Sequence, residues 1–353
     1  MCKAVSLAKD KKPVGKIMRR LLSFALAFSL AAPAAMAETD VKFTLDWKFE
    51  GPAAPFFIAL DKGYFAQEGV NVTIDTGAGS RESIPRVATG AYQMGFGDIN
   101  ALIKLIDEQP DLKVKAVMMA YERPPIAIIG RVSQGVTGDP KSLEGKTLGA
   151  PPPDAAFGQW PAFAEVAGLD TSTITIENVG FPVREPMLAQ GQVDAIFGYS
   201  FSSVLNLKAQ GIPADDISTI LMPEHGLDIY GNVVMVNTDF AKEHPDAVKG
   251  VVRALVRGYL DAIADPAAAI PHVLERNGVL DEATEVERLQ MAVDGSIATP
   301  AVKANGFGGV DMDKLAKSME FLKISMGVSD TPPAPERVFD ASFLPPVEER
   351  MVK

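Results

Sequence analysis

The chain has 353 residues, a formal net charge of −11 at pH 7 and a single cysteine, Cys2. An acidic balance of this size makes nucleic acid and anionic membrane surfaces poor partners. With no cysteine beyond position 2, the rest of the chain has no disulfide, no thiol nucleophile and no cysteine metal ligand.

The first segment reads as an export leader. Lys16, Arg19 and Arg20 precede the apolar run "LLSFALAFSLAA" (21–32), and "AMA" (35–37) is a small-x-small cleavage pattern. A signal peptide over residues 1–37 is expected, with the exported chain starting near Glu38 and working in the periplasm. The apolar run is short for a bilayer span, which argues against an uncleaved anchor. No cysteine follows the cleavage pattern, which argues against a lipoprotein. Met18 opens a compact leader of its own and is an alternative start. The remaining residues carry 27 basic and 44 acidic side chains, a net of about −17, and contain no later run long enough to cross a membrane. They suffice for a large core and two lobes.

Beyond the leader, strand and helix patterns alternate. "VKFTLDW" predicts a strand, "APFFIALDKGYFAQEG" a helix stopped at Gly69, and "VNVTIDT" a second strand. "GAGSRESIPRVATGA" is a glycine-rich turn entering a helix. "YQMGFGDI", "NALIKLIDEQ" and "LKVKAVMMAY" give strand, helix and strand. "PPIAIIGR" (124–131) follows as a strand with no helix between, which suits a crossover to another lobe. A new round begins with a strand at 147–150, then a loop and helix, the strand "TITIENVGF", the helix "PVREPMLAQGQ" and the strand "VDAIFGY". "IYGNVVMVNTDF" (229–240) suits a return crossover. After Pro245, the spacing of Val248, Val251, Val252, Leu255, Val256, Tyr259, Leu260 and Ile263 marks an amphipathic helix. Two more helices are expected near 282–297 and 312–326, and a proline-rich tail from Pro332 is expected to wrap the surface. The fold class expected is α/β, with parallel-rich sheets flanked by helices on both faces. In such sheets ligands sit at the carboxyl ends of strands; residues 46–50, 77–81 and 97–100 occupy that position.

The pieces "LDW", "FFIALDKGYFAQEGVNVTI", "FGDINAL", "SLEGKTLGA", "LAQGQVDAIFGY" and "YGNVVMVNTDF" together resemble, in order, the periplasmic solute-binding proteins of ABC importers. The branch is the NMT1/THI5-like one, which covers taurine, alkanesulfonate, nitrate and thiamine-pyrimidine-precursor binders. The resemblance implies a two-lobed periplasmic binding protein of type II, with lobe one formed by 38–124 and 235–353, lobe two by 125–234, and two crossover strands between them. It further implies a small organic solute held between the lobes and handed to a permease and its ATPase, with no catalysis and no cofactor. A monomer is expected. The sequence departs from the pyrimidine-precursor pattern in two places. Lys48, Phe49, Glu50 and Gly51 follow "DW" where Pro-Asn and then a His are usual, and Ser200, Phe201, Ser202 and Ser203 stand where an acid is expected.

Candidate ligand residues follow from the strand ends. Trp47 offers an aromatic face, with core packing as its alternative role. Asp46 and Glu50 offer acceptors, Asp46 otherwise being a helix cap. Phe49 lies between them. Ser80 and Arg81 stand at a helix start suited to an anion or polar oxygen, and Asp98 and Asn100 at the next strand end. In the second lobe the candidates are Asp154, Phe157 and Trp160, then Phe181, Arg184 and Glu185, and finally Tyr199, Asp228 and Tyr230. Arg184 facing solvent and Trp160 in the core are the competing readings. His225, His244 and His272 lack metal-ligand spacing, and neither a P-loop nor a Gly-x-Ser-x-Gly elbow is present. The leading reading is a solute receptor for a heteroaromatic compound in preference to a bare sulfonate. The alternatives are taurine, sulfonate or nitrate binding, a pyrimidine-precursor synthase on the same fold, and a sensing module that signals to a membrane partner.

Overall fold

The computed structural model describes residues 1, 3, 4 and 38–353. The chain divides into two units, Met1–Ala37 and Glu38–Lys353. Apart from residues 1, 3 and 4, the expected leader lies outside the described residues, and the fold below is that of the second unit.

Ten strands form two five-stranded sheets. The first contains β1 (Thr39–Thr44), β2 (Val70–Asp75), β3 (Met94–Asp98) and β4 (Val114–Met119). The second contains β5 (Ile126–Arg131), β6 (Thr147–Ala150), β7 (Thr175–Asn178), β8 (Ala195–Tyr199) and β9 (Ile217–Leu221). The last strand, β10 (Asn232–Asn237), returns to the first sheet. The orders are β2-β1-β3-β10-β4 and β7-β6-β8-β5-β9. Each sheet is therefore parallel except for one strand. β10 runs antiparallel between β3 and β4, and β5 runs antiparallel between β8 and β9.

That inserted strand positions the site. A crossover strand enters its sheet from the cleft side, so its first residues lie beside the carboxyl ends of the parallel strands. Asn232 pairs with Asp98, and Ile126 with Tyr199. The central strands β3, β8 and β10 are buried almost without alternation, as expected where helices cover both faces. On β2, nearer the edge, buried Val70 and Val72 alternate with exposed Asn71.

The helices expected from sequence are present, one of them divided, and the proline-rich tail is more deeply embedded than expected. The segment expected as one helix over 54–69 is two, Ala54–Asp61 and Tyr64–Gln67, because Gly63 takes a left-handed conformation (φ 67°) that ends the first. The Pro332 tail does more than wrap the surface. Val338 and Phe339 are buried in the core, and the Asp340 N–H bonds to the Ala116 carbonyl at 2.9 Å, covering the β4 edge. Two elements have little sequence signal: the helix Ser200–Ala209 and the edge strand β9, whose "ISTIL" is half polar. The apolar stripe of Pro245–Ala264 packs Val251, Leu255 and Tyr259 into the same core as Phe56 and Phe57. Gly258 lets that helix approach the Pro55 backbone, where a Cβ would collide with the carbonyl.

Candidate functional site

A cleft lies between the two sheets, where the ends of β1, β3 and β4 face those of β6 and β8. The space between its walls, counted out to the open mouth and including solvent, is about 740 Å³. Seven of its twenty lining residues are aromatic. Trp47, Phe56, Phe96 and Tyr121 come from the first lobe, and Phe181, Tyr199 and Phe201 from the second.

The first lobe supplies a buried polar cluster. Asp46, directly after β1, accepts hydrogen bonds from Asn232 Nδ2 at 2.6 Å and from Ser80 Oγ at 3.1 Å. Ser80 Oγ also accepts from the Asp98 N–H at 3.0 Å. Asp98 caps the helix Ile99–Glu108 by accepting from the Ala101 N–H at 2.9 Å, and takes a second bond from Asn100 Nδ2. Asn232 in turn accepts from the Tyr199 hydroxyl of the other lobe at 2.7 Å. Burial pushes the Asp46 carboxyl up to about 6, against the opposing effect of Asn232 and Ser80. Burial likewise pushes Asp98 up to about 7, with the bonds from Ala101 and Asn100 opposing it. Near neutral pH Asp98 is thus held closer to the balance between acid and anion than Asp46, which lies on the anion side.

The second lobe supplies a saturated ion cluster. Arg184, 3% exposed, donates to Asp154 at 2.9 Å and to Glu185 at 2.6 Å. Ser203 Oγ donates to the same Glu185 oxygen at 3.0 Å. Asp154 also caps its short helix through the Ala156 and Phe157 N–H groups. Burial raises the Asp154 carboxyl above its ordinary range, and Arg184 opposes the shift.

The two walls meet across the cleft. The Trp47 and Phe181 rings lie edge to face with centroids 4.9 Å apart. Ser202 Oγ donates to Glu50 at 3.3 Å. Burial raises the Glu50 carboxyl, opposed by the nearby Arg288 guanidinium. Trp47 Nε1 is buried and has no hydrogen-bond partner. Lys48 stands over the Trp47 ring, 5.5 Å from its centroid, on an exposed position.

Of the residues singled out from sequence, Asp46, Trp47, Glu50, Ser80, Asp154, Arg184 and Tyr199 line the cleft together with Phe181. Asp98 and Asn100 sit beneath it as supports of Ser80 and of the Tyr230 carbonyl. The others lie elsewhere. Arg81 is exposed, because one step along the helix from Ser80 turns the side chain outward. Phe49 packs edge to face on Phe57, and Phe157 packs on Phe197 in the second lobe's core. Trp160 is core and also contacts Phe197. Asp228 is an exposed partner of Lys314, and the Tyr230 hydroxyl accepts from the Asp311 N–H away from the cleft. Arg184 is buried, not solvent-facing.

Tyr121, Phe201, Ser202 and Asn232 carry no motif. Tyr121 lies two residues past the end of β4, so the strand-end rule reaches it. Asn232 begins its strand, and the rule for parallel strands misses it because β10 runs the other way.

Among the described residues, no group of three or more His, Cys, Asp or Glu side chains is placed to hold a metal ion, and no helix is long and apolar enough to cross a membrane.

Several known proteins are similar. The riboflavin-binding protein RibY of Chloroflexus aurantiacus is 27% identical over 218 residues, which span 60% of this chain but only 59% of RibY. The formylaminopyrimidine-binding protein of Halalkalibacterium halodurans is 25% identical over 80% of this chain and 84% of its own. A 4-amino-5-hydroxymethyl-2-methylpyrimidine phosphate synthase of Aspergillus parasiticus is 23% identical over 69% and 73%. Among solved structures, the alkanesulfonate-binding protein SsuA from Xanthomonas axonopodis pv. citri, bound to MOPS, superposes with a TM-score of 0.66 over 86% of this chain and 100% of its own at 14% identity. The fold is that of the periplasmic binding proteins. The sequence profile described as NMT1/THI5 like matches residues 52–269, and the chain belongs to that family.

Proposed function

We propose that this chain is the solute-binding component of an ABC import system. In this reading it works in the periplasm as a monomer after loss of its leader, and it delivers its solute to a permease with a separate ATPase. The lobe division that goes with it is 38–124 and 235–353 against 125–234, a second boundary that falls inside β10, whose Asn232 already pairs in the first sheet. Solute is captured by hinge closure about the two crossovers, an established mode for binding proteins of this kind. The solute proposed is flat and heteroaromatic, in the chemical class named by the riboflavin- and formylaminopyrimidine-binding relatives.

One observation carries the choice of solute: the cleft offers aromatic faces and carboxylates, and its buried cation is already neutralised. Arg184 is paired with both Asp154 and Glu185, and Arg81 points away. A sulfonate or nitrate ion entering here meets Asp46, Glu50 and Asp154, and the buried guanidinium beside Asp154 and the one behind Glu50 are already engaged, which leaves the exposed Lys48 as the unengaged cation of the lining. A ring bearing N–H groups can instead stack on Trp47 or Phe181 and donate to Asp46. The synthase reading has less support, since the lining residues include neither histidine nor cysteine.

A thermal-shift panel of flavins, aminopyrimidines, alkanesulfonates and nitrate tests this. A ligand at one hundred times its Kd stabilises by about 2.7 kcal/mol. The reading expects that shift from a heteroaromatic compound. A shift from sulfonates or nitrate alone contradicts it.

A further inference from the structure

Arg288 lies outside the cleft lining yet ties its two walls together. It sits on the helix Glu282–Ala292, which packs against the turn Gly51–Ala53 and the Ser200–Ala209 helix. Its side chain is buried, and its donors are divided between the lobes. Toward the first lobe, Nε bonds to both Glu285 oxygens at 3.2 and 3.0 Å, and Nη1 lies 3.8 Å from Glu50 Oε2. Toward the second, Nη1 donates to the carbonyls of Phe201 and Ser202 at 3.1 and 3.2 Å, and Nη2 donates to Asn206 Oδ1 at 3.3 Å.

The partners of this group are themselves cleft residues. Glu50, Phe201 and Ser202 line it, and Ser202 Oγ bonds to Glu50 directly. Glu285 is fixed from behind by the Gly51 N–H at 2.5 Å. Both carboxylates of the first lobe thus hold the guanidinium in place whether or not the second lobe is near. The three second-lobe acceptors are reached only when the lobes are together. The Phe201 ring reinforces the contact by packing edge-on against Tyr121 of the first lobe, with centroids 6.2 Å apart.

We propose that Arg288 is an interlobe latch: a positioning residue, preorganised by Glu285 and Glu50, that stabilises the closed cleft by donating to the Phe201 and Ser202 carbonyls and to Asn206. The role needs arginine's rigid fork of donors. Lysine keeps the charge beside Glu285 but cannot reach two carbonyls and an amide at once. Closed-state affinity then depends on a side chain that never touches the solute, because a ligand bound only by the closed form is weakened in proportion to the population of that form. The effect on affinity rests on the binding reading above; the effect on lobe geometry does not.

The test uses spin labels on exposed positions of the two lobes, Lys249→Cys and Glu177→Cys, in a Cys2→Ser background so that no other thiol reacts. Interlobe distances are measured without ligand and with riboflavin as the probe. The latch predicts a longer or broader interlobe distance distribution for Arg288→Lys and Arg288→Ala than for the parent under the same conditions. If riboflavin binds, it should dissociate about ten- to a hundred-fold faster from Arg288→Lys, the loss expected for two or three charge-assisted bonds of which some are replaced by water. Near-UV circular dichroism checks that each variant is folded. If Arg288→Ala unfolds through its unpaired carboxylates, Arg288→Lys decides. A folded Arg288→Lys with the parent's distance distribution overturns the proposal. Riboflavin failing to bind while the distances shift counts against the solute class and supports the latch.

Discussion

The Trp47 indole of the first lobe meets the Phe181 ring of the second edge to face, 4.9 Å between centroids and 71° between planes. Trp47 follows β1, and Phe181 opens the helix Phe181–Ala189, so the contact exists only because two strand ends from different sheets face one another. A solute entering the cleft must part these rings or lie against them. Trp47 Nε1 is buried and unpartnered while the two rings are in contact.

Trp47→Ala is therefore expected to weaken solute binding ten- to a hundred-fold, since a large aromatic contact is worth about 1–3 kcal/mol. Phe181→Ala should act in the same direction. Trp47 is only half-buried, so the melting temperature should change little. Calorimetric titration checks affinity, and a loss that merely follows global unfolding would mean that the indole is structural.

Arg184 is expected to behave as a fold residue and not as an anion receptor. Arg184→Met leaves Asp154 and Glu185 buried beside one another without their common partner. Breaking a buried pair in this way costs about 3–5 kcal/mol. Urea denaturation should show that loss. Native-like stability combined with a selective loss of sulfonate binding would assign Arg184 to an anion after all.

The pH dependence has a definite sign. Asp46 and Asp98 are raised to about 6 and about 7 by burial, above an unfolded value near 4. Both hold a proton more tightly folded than unfolded. Their contribution to stability is full below about pH 4 and is lost as pH rises through about 6 and 7. Other carboxylates such as Asp61 are shifted downward and act oppositely, so the readout is the difference between parent and variant. Asp98→Asn, which keeps an acceptor for the Ala101 N–H, should gain in melting temperature relative to the parent as pH rises from about 4 to about 7. Parallel melting curves for parent and variant would show that these protons are not linked to folding.

The two crossovers touch at Gly231. A Cβ there would lie 2.9 Å from Tyr121 Cβ and 3.0 Å from both the Pro124 Cα and the Tyr121 carbonyl oxygen, and the Gly231 N–H donates to that same oxygen. Gly231→Ala should therefore separate the crossovers, at a cost of about 1–3 kcal/mol from overpacking. Denaturant midpoints measure the cost. An unchanged midpoint would mean that the hinge backbone shifts freely.

Much of this arrangement is legible in the sequence, for identifiable reasons. The strands from β1 to β8 announce themselves by apolar runs or by alternation, and the rule that ligands gather at strand carboxyl ends leads directly to Asp46, Trp47, Ser80, Asp154 and Tyr199. The rule is silent on Asn232, whose strand runs in the opposite direction. It cannot separate Ser80 from Arg81, because one residue on a helix is a turn of about 100° that only packing resolves. Asp228 and Tyr230 lie near the return crossover in sequence, yet the chain turns their side chains toward Lys314 and Asp311. Arg288 has little local signal: apart from Glu285, three residues before it, its partners lie more than eighty positions away along the chain, and nothing in an amphipathic helix says which of its charged residues will be buried between lobes.

The most direct test of the account is a calorimetric titration of parent and Trp47→Ala protein with riboflavin, a formylaminopyrimidine and an alkanesulfonate, followed by mass spectrometry of the recovered solute. The account predicts one-to-one binding of a heteroaromatic compound by the parent, ten- to a hundred-fold weaker binding by Trp47→Ala, and recovery of the solute unchanged. One-to-one binding of the sulfonate alone, indifferent to Trp47, or a chemically altered solute, would contradict it.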